Sequence, residues 1–333
     1  MGEFDLIDTY FKRPARSAVV GVGDDCALLS PSPGTHLAVS SDMLVEGRHF
    51  LSTVAPDRLG HKALAVNLSD LAACGATPRA FTLALALPRI DEAWLAGFSQ
   101  GMFALADAHG CELVGGDTTQ GPLTICITVM GEVPVVDGKS QALLRSGAQP
   151  GDDIYVSGTL GDARLALEVF RGQVQVPAAV FEHARRRMEQ PSPRVALGQS
   201  LRGLATAAID VSDGFLGDLK HILKASGVGA RIDLDSAISL LAAPALFTGS
   251  NPDLALQITA AQTLEWVLAG GDDYELVFTA PPAQAQRVAQ AARDAKTRIT
   301  RVGRIERAGG VRLEGSQGPI QADRFASFDH FAR

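Results

Sequence analysis

Apolar and polar positions follow two different periodicities along the chain, and together they predict a mixed α/β protein. In the first half, short apolar runs bounded by turn residues predict strands over 36–44, 81–88, 112–117 and 123–133. Between them, residues 56–76 and 91–110 carry apolar side chains at helical spacing, with a glycine near the end of each segment. Alternating helix and strand signals of this kind favour a sheet covered by helices.

The second half continues the mixture after a polar, glycine-rich stretch between about 135 and 150. Its pattern predicts helices near 161–171, 177–188, 193–203, 214–226 and 282–295, and strands over 206–212, 273–280 and 300–306. Residues 237–260 show no clear pattern. A chain of 333 residues is longer than a domain with a single hydrophobic core usually is. We therefore expect an N-terminal domain over 1–140 and a C-terminal α/β domain over 141–333.

Composition narrows the class of protein. Apolar residues make up 46% and charged residues 20%, the net charge is −7, and the pI is near 5.5. This acidic balance, without a long run of lysine and arginine, disfavours a nucleic-acid or membrane-surface partner. The four cysteines form no CxxC pair and indicate buried free thiols. With an acidic N-terminal segment and no long apolar run, we expect a cytoplasmic protein.

Five segments place aspartate beside glycine or a small hydroxyl residue. They are "GVGDDCA" (21–27), "VSSDMLVEGRHF" (39–50), "LVGGDTTQG" (113–121), "IDVSDG" (209–214) and "AGGDDYELVF" (269–278). A further carboxylate, Asp70, follows Asn67 by three residues on the same helix face. Each pair alone is ordinary turn chemistry. Five of them, expected at the carboxyl ends of strands, predict several Mg²⁺ ions gathered on an anionic ligand such as a nucleoside triphosphate.

Alternative interpretations of these motifs fit less well. A calcium-binding module would show the regular D-x-[DN]-x-[DN]-G spacing, which is absent. The segment "GEVPVVDGKS" (131–140) has six residues between its glycines, where a Walker loop has four. "GVGDDC" lacks the last glycine of a dinucleotide fingerprint, and "GFSQG" (97–101) lies within a helical pattern. Among the histidines, His49 alone lies beside a predicted metal motif.

Taken in order, the motifs resemble those of the thiamine-monophosphate kinases, which belong with the aminoimidazole-ribonucleotide synthetase-like ATP-binding proteins. The resemblance runs along nearly the whole chain, through "GEFDLI", "GDDCALL", "SSDMLVEGRHF", "KALAVNLSDLAACGATP", "GGDTTQGP", "RSGAQPGDDIYVSGTLGD", "PSPR", "AIDVSDG", "GGDDYEL" and "FDHF". It implies a two-domain fold in which the N-terminal mixed-sheet domain forms a homodimer. It also implies ATP-dependent phosphorylation of thiamine monophosphate to thiamine diphosphate.

Other relatives on this fold fit the sequence less well. A selenophosphate synthetase would carry a reactive cysteine or selenocysteine with lysine near the N-terminus, and a hydrogenase-maturation relative would end in a reactive cysteine. An aminoimidazole-ribonucleotide synthetase-like ligase or cyclase is the alternative, since it shares the acidic ATP site. The segments "SSDMLVEGRHF" and "FDHF" favour the kinase.

The resemblance also assigns residues. Magnesium ligands would be Asp25, Ser40, Ser41, Asp42, Asp70, Asp117, Asp210 and Asp213. ATP contacts would be Gly116, Asp117, Arg145 and Ser212. Substrate contacts would be His49, Asp272 and Phe328. Asp272 stands where glutamate is usual, and Phe328 where tryptophan or tyrosine is common.

No side chain is needed as a nucleophile in this scheme, because the substrate phosphate would attack ATP directly with the help of the metal. The number of metal ions and a requirement for K⁺ stay open.

Overall fold

The computed structural model describes residues 2–246, 258–316 and 318–325. The chain divides into two compact units, Met1–Ala142 and Leu143–Arg333. Across those three ranges, none of the helices is both long and apolar enough to cross a bilayer.

The first unit is a mixed sheet with two long helices. Its helices are α1 (Glu3–Tyr10), α2 (Pro56–Ala73) and α3 (Glu92–His109). Its strands are β1 (Ala18–Val20), β2 (Leu28–Leu29), β3 (Thr35–Val45), β4 (Thr77–Leu87), β5 (Glu112–Gln120), β6 (Thr124–Val136) and β7 (Lys139–Ser140). The main sheet has the order β3-β6-β4-β5, with β7 beside β6. Only the β4–β5 pair is parallel within it.

One face of this sheet is covered and the other is open. Helices α2 and α3 bury the apolar side chains of the covered face, and Phe81 and Val129 are fully buried there. On the edge strand β3, the alternate residues Leu37, Val39 and Met43 are 49%, 59% and 54% exposed. Since neighbouring residues of a strand point to opposite faces, these three define the open face.

The second unit is a seven-stranded sheet with helices. Its strands are β8 (Asp153–Ser157), β9 (Ala207–Asp210), β10 (Gly229–Asp233), β11 (Leu276–Ala280), β12 (Ile299–Glu306), β13 (Gly310–Gly315) and β14 (Gly318–Gln321). Its helices are α4 (Asp162–Phe170), α5 (Ala178–Glu189), α6 (Val195–Ser200), α7 (Phe215–Ser226), α8 (Leu234–Ile238), α9 (Ala243–Leu246), α10 (Ala260–Ala269) and α11 (Ala285–Asp294). Short 3-10 turns cover Pro282–Gln284 and Ala322–Arg324.

The strand order β14-β13-β10-β12-β8-β11-β9 brings three loops to one end of the second sheet. Strand β11 pairs antiparallel with both β8 and β9, so its first residue lies beside the last residues of its neighbours. The segments that follow β8, follow β9 and precede β11 therefore meet. Two of them carry aspartate motifs.

Several sequence expectations need correction. Ser40–Asp42 lies in the middle of β3 and Asp117 in the middle of β5, so these motifs are not at the carboxyl ends of strands. Both strands continue because their pairing with the neighbouring strands β6 and β4 runs on through the motifs. All four cysteines are free as expected, but of the four only Cys111 is buried, since Cys74 and Cys126 are half-buried and Cys26 is exposed. Helices α1 and α10 and several short strands had no prediction, because short elements give a weak periodic signal.

Candidate functional site

In the first unit, one cluster of oxygen donors lies between β3 and α2. The Ser40 hydroxyl donates to the Asp70 carboxylate over 2.5 Å. The side-chain oxygen of Asn67 accepts the backbone N–H of Asp42 over 3.0 Å, while its amide nitrogen donates to the Ala63 carbonyl. Asn67 is almost completely buried. It thus fixes the strand segment 40–42 against the helix that carries Asp70.

The sheet separates Ser41 and Asp117 from that cluster. Ser41 points to the open face, where its hydroxyl lies 2.9 Å from the Thr128 hydroxyl. Asp117 shares the open-face row of Met43, Cys126 and Ala84. It is also three strands away from β3, or about 14 Å at the usual strand spacing. Within one chain, Ser41 and Asp117 therefore do not join the cluster of Ser40, Asp42 and Asp70.

Gly116 precedes Asp117 on β5 and has no room for a side chain. Its φ of 152° is in the region that favours glycine, and a Cβ there would overlap the Leu83 carbonyl. Residues 116 and 117 are exposed on β5, which is the last strand in the order of this sheet.

His49 is held in the turn that follows β3. The ring Nδ1 of His49 accepts the backbone N–H of Val45 over 3.0 Å. The backbone N–H of His49 donates to the Val45 carbonyl. A nitrogen that accepts an N–H is unprotonated, so the neutral ring carries its proton on Nε2. His49 is therefore arranged to donate a hydrogen bond from Nε2.

Asp25 lies in an exposed loop between β1 and β2. Its backbone N–H donates to the Asp24 carboxylate over 2.8 Å, which is turn chemistry. The adjacent carboxylates of Asp24 and Asp25 both face solvent, the arrangement in which their repulsion is most weakened.

In the second unit, a tight turn after β9 carries three candidates. Asp210 ends the strand and is buried, and the half-buried Ser212 and Asp213 follow it. One oxygen of Asp218, in the first turn of α7, accepts the backbone N–H groups of Ser212, Asp213 and Gly214 at 3.0, 3.1 and 3.2 Å. Burial, and then the charge of Asp213, raise the pKa of Asp218 to about 7, although the three N–H groups act in the opposite direction.

The loop before β11 packs onto this turn. The N–H groups of Asp272 and Tyr274 donate to the carbonyls of Ser212 and Val211 at 2.7 and 2.8 Å. The carboxyl of Asp273 accepts the Gly161 N–H from the third loop, at 3.1 and 3.0 Å to its two oxygens. Burial of this carboxyl holds the pKa of Asp273 well above its usual range, although the Gly161 N–H and the charge of Arg187 act in the opposite direction.

One predicted residue of the second unit, Arg145, lies away from the turn after β9. Arg145 is exposed near the start of the second unit, where Ser226 donates to its carbonyl. Phe328 lies outside the described residues.

The oxygen donors of the cluster between β3 and α2 suit magnesium. Across the described residues, no three His, Cys, Asp or Glu side chains form a group that could hold a metal ion. Mg²⁺ does not require such a group, because it commonly takes one or two carboxylates and completes its shell with water and phosphate oxygens. Asp42 and Asp70, with the Ser40 hydroxyl, match that pattern, and every donor is a hard oxygen.

Sequence reasoning overlooked the residues that hold these loops. The sequence places Asn67 on the helix face of Asp70 but does not predict its hydrogen bonds, and it predicts no role for Asp218 or Asp273. A carboxylate in the first turn of a helix, as at Asp218, is a recognisable capping signal.

Comparison with known proteins defines the class. The AIR synthase related protein family matches through its N-terminal domain at residues 23–133 and its C-terminal domain at residues 149–316, so the chain belongs to that family. It is 43% identical over 336 residues to the thiamine-monophosphate kinase of Salmonella typhimurium, covering 99% of this chain and 98% of that one. Within the family, the chain therefore belongs to the thiamine-monophosphate kinases.

Solved structures agree with this assignment. The crystal structure of thiamine-monophosphate kinase from Stenotrophomonas maltophilia superposes with a TM-score of 0.79 at 44% identity, covering 90% of this chain and 92% of that one. AaThiL complexed with AMPPCP and TMP superposes with a TM-score of 0.72 at 28% identity, covering 91% and 89%. The expected two-domain α/β fold is confirmed.

Proposed function

We propose that this chain transfers the γ-phosphate of ATP to thiamine monophosphate, giving thiamine diphosphate and ADP. The observation that carries the proposal is the 43% identity, over essentially the full length, to a thiamine-monophosphate kinase. The structure of AaThiL, which has the same fold, contains AMPPCP and TMP, and these correspond to the two substrates proposed for this chain. The alternative, an aminoimidazole-ribonucleotide synthetase-like reaction, is not favoured.

The reaction needs no nucleophilic side chain. An oxygen of the substrate phosphate attacks the γ-phosphorus while the bond to the β–γ bridging oxygen breaks, and ADP leaves with that oxygen. His49 supports this scheme, because its Nδ1 is occupied by the Val45 N–H and its Nε2 carries the proton. The contact of His49 with the substrate is kept as predicted by the resemblance.

The acidic residues suit a magnesium-assisted transfer. Mg²⁺, when bound, neutralises charge so that two phosphates can approach each other. We assign Asp42 and Asp70, with Ser40, to this ion in the first unit, and Asp210 and Asp213 to metal binding in the second. Asp25, Ser41 and Asp117 are kept as further ligands predicted by the resemblance. Ser212, Gly116 and Arg145 are assigned to ATP, and Asp272 and Phe328 to the thiamine substrate.

We also propose a homodimer in the cytoplasm. The open face of the first unit exposes the apolar side chains of Leu37, Val39 and Met43 in one row. A second copy of the same face would remove this row from water, which is the usual reason for such a patch. The acidic composition disfavours a nucleic-acid partner.

The substrate assignment is tested by incubating the chain with MgATP and either thiamine monophosphate or an aminoimidazole ribonucleotide precursor. We expect stoichiometric ADP and thiamine diphosphate from the first acceptor and no ATP consumption with the second. Turnover of the second acceptor alone would replace the kinase assignment by the alternative.

Magnesium binding has a separate thermal signature. Because ligands that bind the folded state raise its stability, MgATP should raise the melting temperature by several degrees more than ATP with EDTA, about 5 °C at ligand concentrations near 100 Kd. Scanning calorimetry with Mg²⁺ alone serves as the control. Equal shifts with and without Mg²⁺ would contradict a metal-bridged nucleotide.

A further inference from the structure

A buried ion cluster in the second unit joins two sequence motifs through residues to which the catalytic scheme gives no role. Glu275, from "GGDDYEL", is 0% exposed. Arg194, from "PSPR", donates to both of its carboxylate oxygens, at 2.6 and 2.5 Å. Ser157 donates to one of the same oxygens at 2.5 Å. Burial opposes the charge of Arg194, but the hydrogen bonds and charge of Glu275 outweigh it and raise the pKa of the guanidinium.

Arg187, on α5, connects this cluster to the backbone of the loop before β11, which carries Asp272 and Asp273. Its Nη2 donates to the Glu275 carboxylate at 2.7 Å and to the carbonyl of Asp273 at 3.1 Å. The second contact fixes the peptide unit that directly follows Asp272 and Asp273. Gly158 completes the enclosure, because a Cβ at that position would overlap the Glu275 carboxylate.

The loop held in this way is strained. Asp272 and Tyr274 have φ values of 63° and 51°, and Gly271 has a φ of 69°. Residues other than glycine occupy this left-handed region only when the surrounding structure enforces it, and such strain is concentrated at functional sites. Without its anchors, the loop would relax and Asp272 would lose its fixed direction.

We propose that Arg187, Arg194 and Glu275 form a clamp that positions Asp272 for the thiamine substrate. They are positioning residues, since none of them needs to touch a ligand. This inference rests on the proposed function and deepens it: the clamp sets affinity for the phosphate acceptor and leaves nucleotide affinity unchanged. A structural role alone would lower stability and affect both substrates.

The test compares Arg194→Lys with the control Arg186→Lys, a change at an exposed arginine next to Arg187 on α5. Lysine keeps the positive charge but cannot donate to both oxygens in the fixed geometry of arginine. We expect the KM for thiamine monophosphate to rise about tenfold in Arg194→Lys, with the KM for ATP unchanged, because small displacements of binding groups have large effects. The control should match the wild type. Should Arg194→Lys fail to fold, Arg187→Lys is measured in the same way.

A double-mutant cycle separates positioning from general damage. In an Asp272→Asn background, which keeps a residue tolerant of positive φ, Arg194→Lys should raise the KM for thiamine monophosphate no further. An unchanged KM in the single variant, an equal rise in both KM values, or additive effects in the double variant would overturn the clamp. The wild-type enzyme is assayed first: its failure to phosphorylate thiamine monophosphate would count against the proposed function itself.

Discussion

Asp42→Asn is expected to lower the kcat of thiamine monophosphate phosphorylation by about 100-fold or more while the protein stays folded. Asparagine keeps the size of the side chain but removes the negative charge that attracts the cation. The backbone N–H of residue 42 still reaches the buried Asn67, so the anchoring of β3 to α2 is preserved. The measurement is kcat at saturating MgATP, together with a thermal melt.

Asp91→Asn is the matched control for that variant. Asp91 caps α3 by accepting the Trp94 N–H at 3.1 Å, and it lies outside every aspartate motif. Because asparagine is also a good N-cap, the change should alter the free energy of unfolding by less than about 1 kcal/mol and leave kcat unchanged. Activity of Asp42→Asn equal to that of Asp91→Asn would remove Asp42 from the metal site.

Asp218→Ala is expected to lower the free energy of unfolding by about 3 kcal/mol or more, since it leaves three backbone N–H groups without their acceptor. Asp218 is only 4% exposed, so water cannot easily replace the lost oxygen. The turn 212–214 should lose its shape with it, and the KM for ATP should rise. Denaturant unfolding and steady-state kinetics measure the two effects.

Asp218→Asn tests whether the accepting oxygen of residue 218 or its negative charge stabilises the turn 212–214. Its carbonyl oxygen can still accept from Ser212, Asp213 and Gly214, so most of the stability should remain. If Asp218→Ala were as stable and as active as Asp218→Asn, the three hydrogen bonds would not organise the turn.

Long periodic elements and the location of the acidic motifs were predictable from the sequence. Helices α2 and α3 have strong apolar spacing and clear boundaries. Small residues beside aspartate indicated the loops after β9 and before β11, but the motifs of Ser40–Asp42 and Asp117 lie inside β3 and β5. The face of the sheet to which each motif side chain points was not predictable, because it depends on strand register. Ser40 and Ser41 are neighbours in sequence, yet one contacts Asp70 and the other Thr128 on the opposite face.

The clamp could not have been found without the fold. Its partners lie far apart in sequence, since Glu275 is 81 residues from Arg194 and 118 from Ser157. No local pattern reports such a contact. What the sequence does contain is a short motif, "PSPR", whose role becomes clear only when its arginine is seen beside the buried carboxylate.

Transfer from ATP made chiral at the γ-phosphorus tests the central claim most directly, because it follows both the product and the route. We expect the label in thiamine diphosphate with a single inversion of configuration, as one in-line displacement between two phosphates requires. Retention of configuration, or a phosphohistidine isolated at His49, would mean two displacements through the enzyme and would contradict direct transfer.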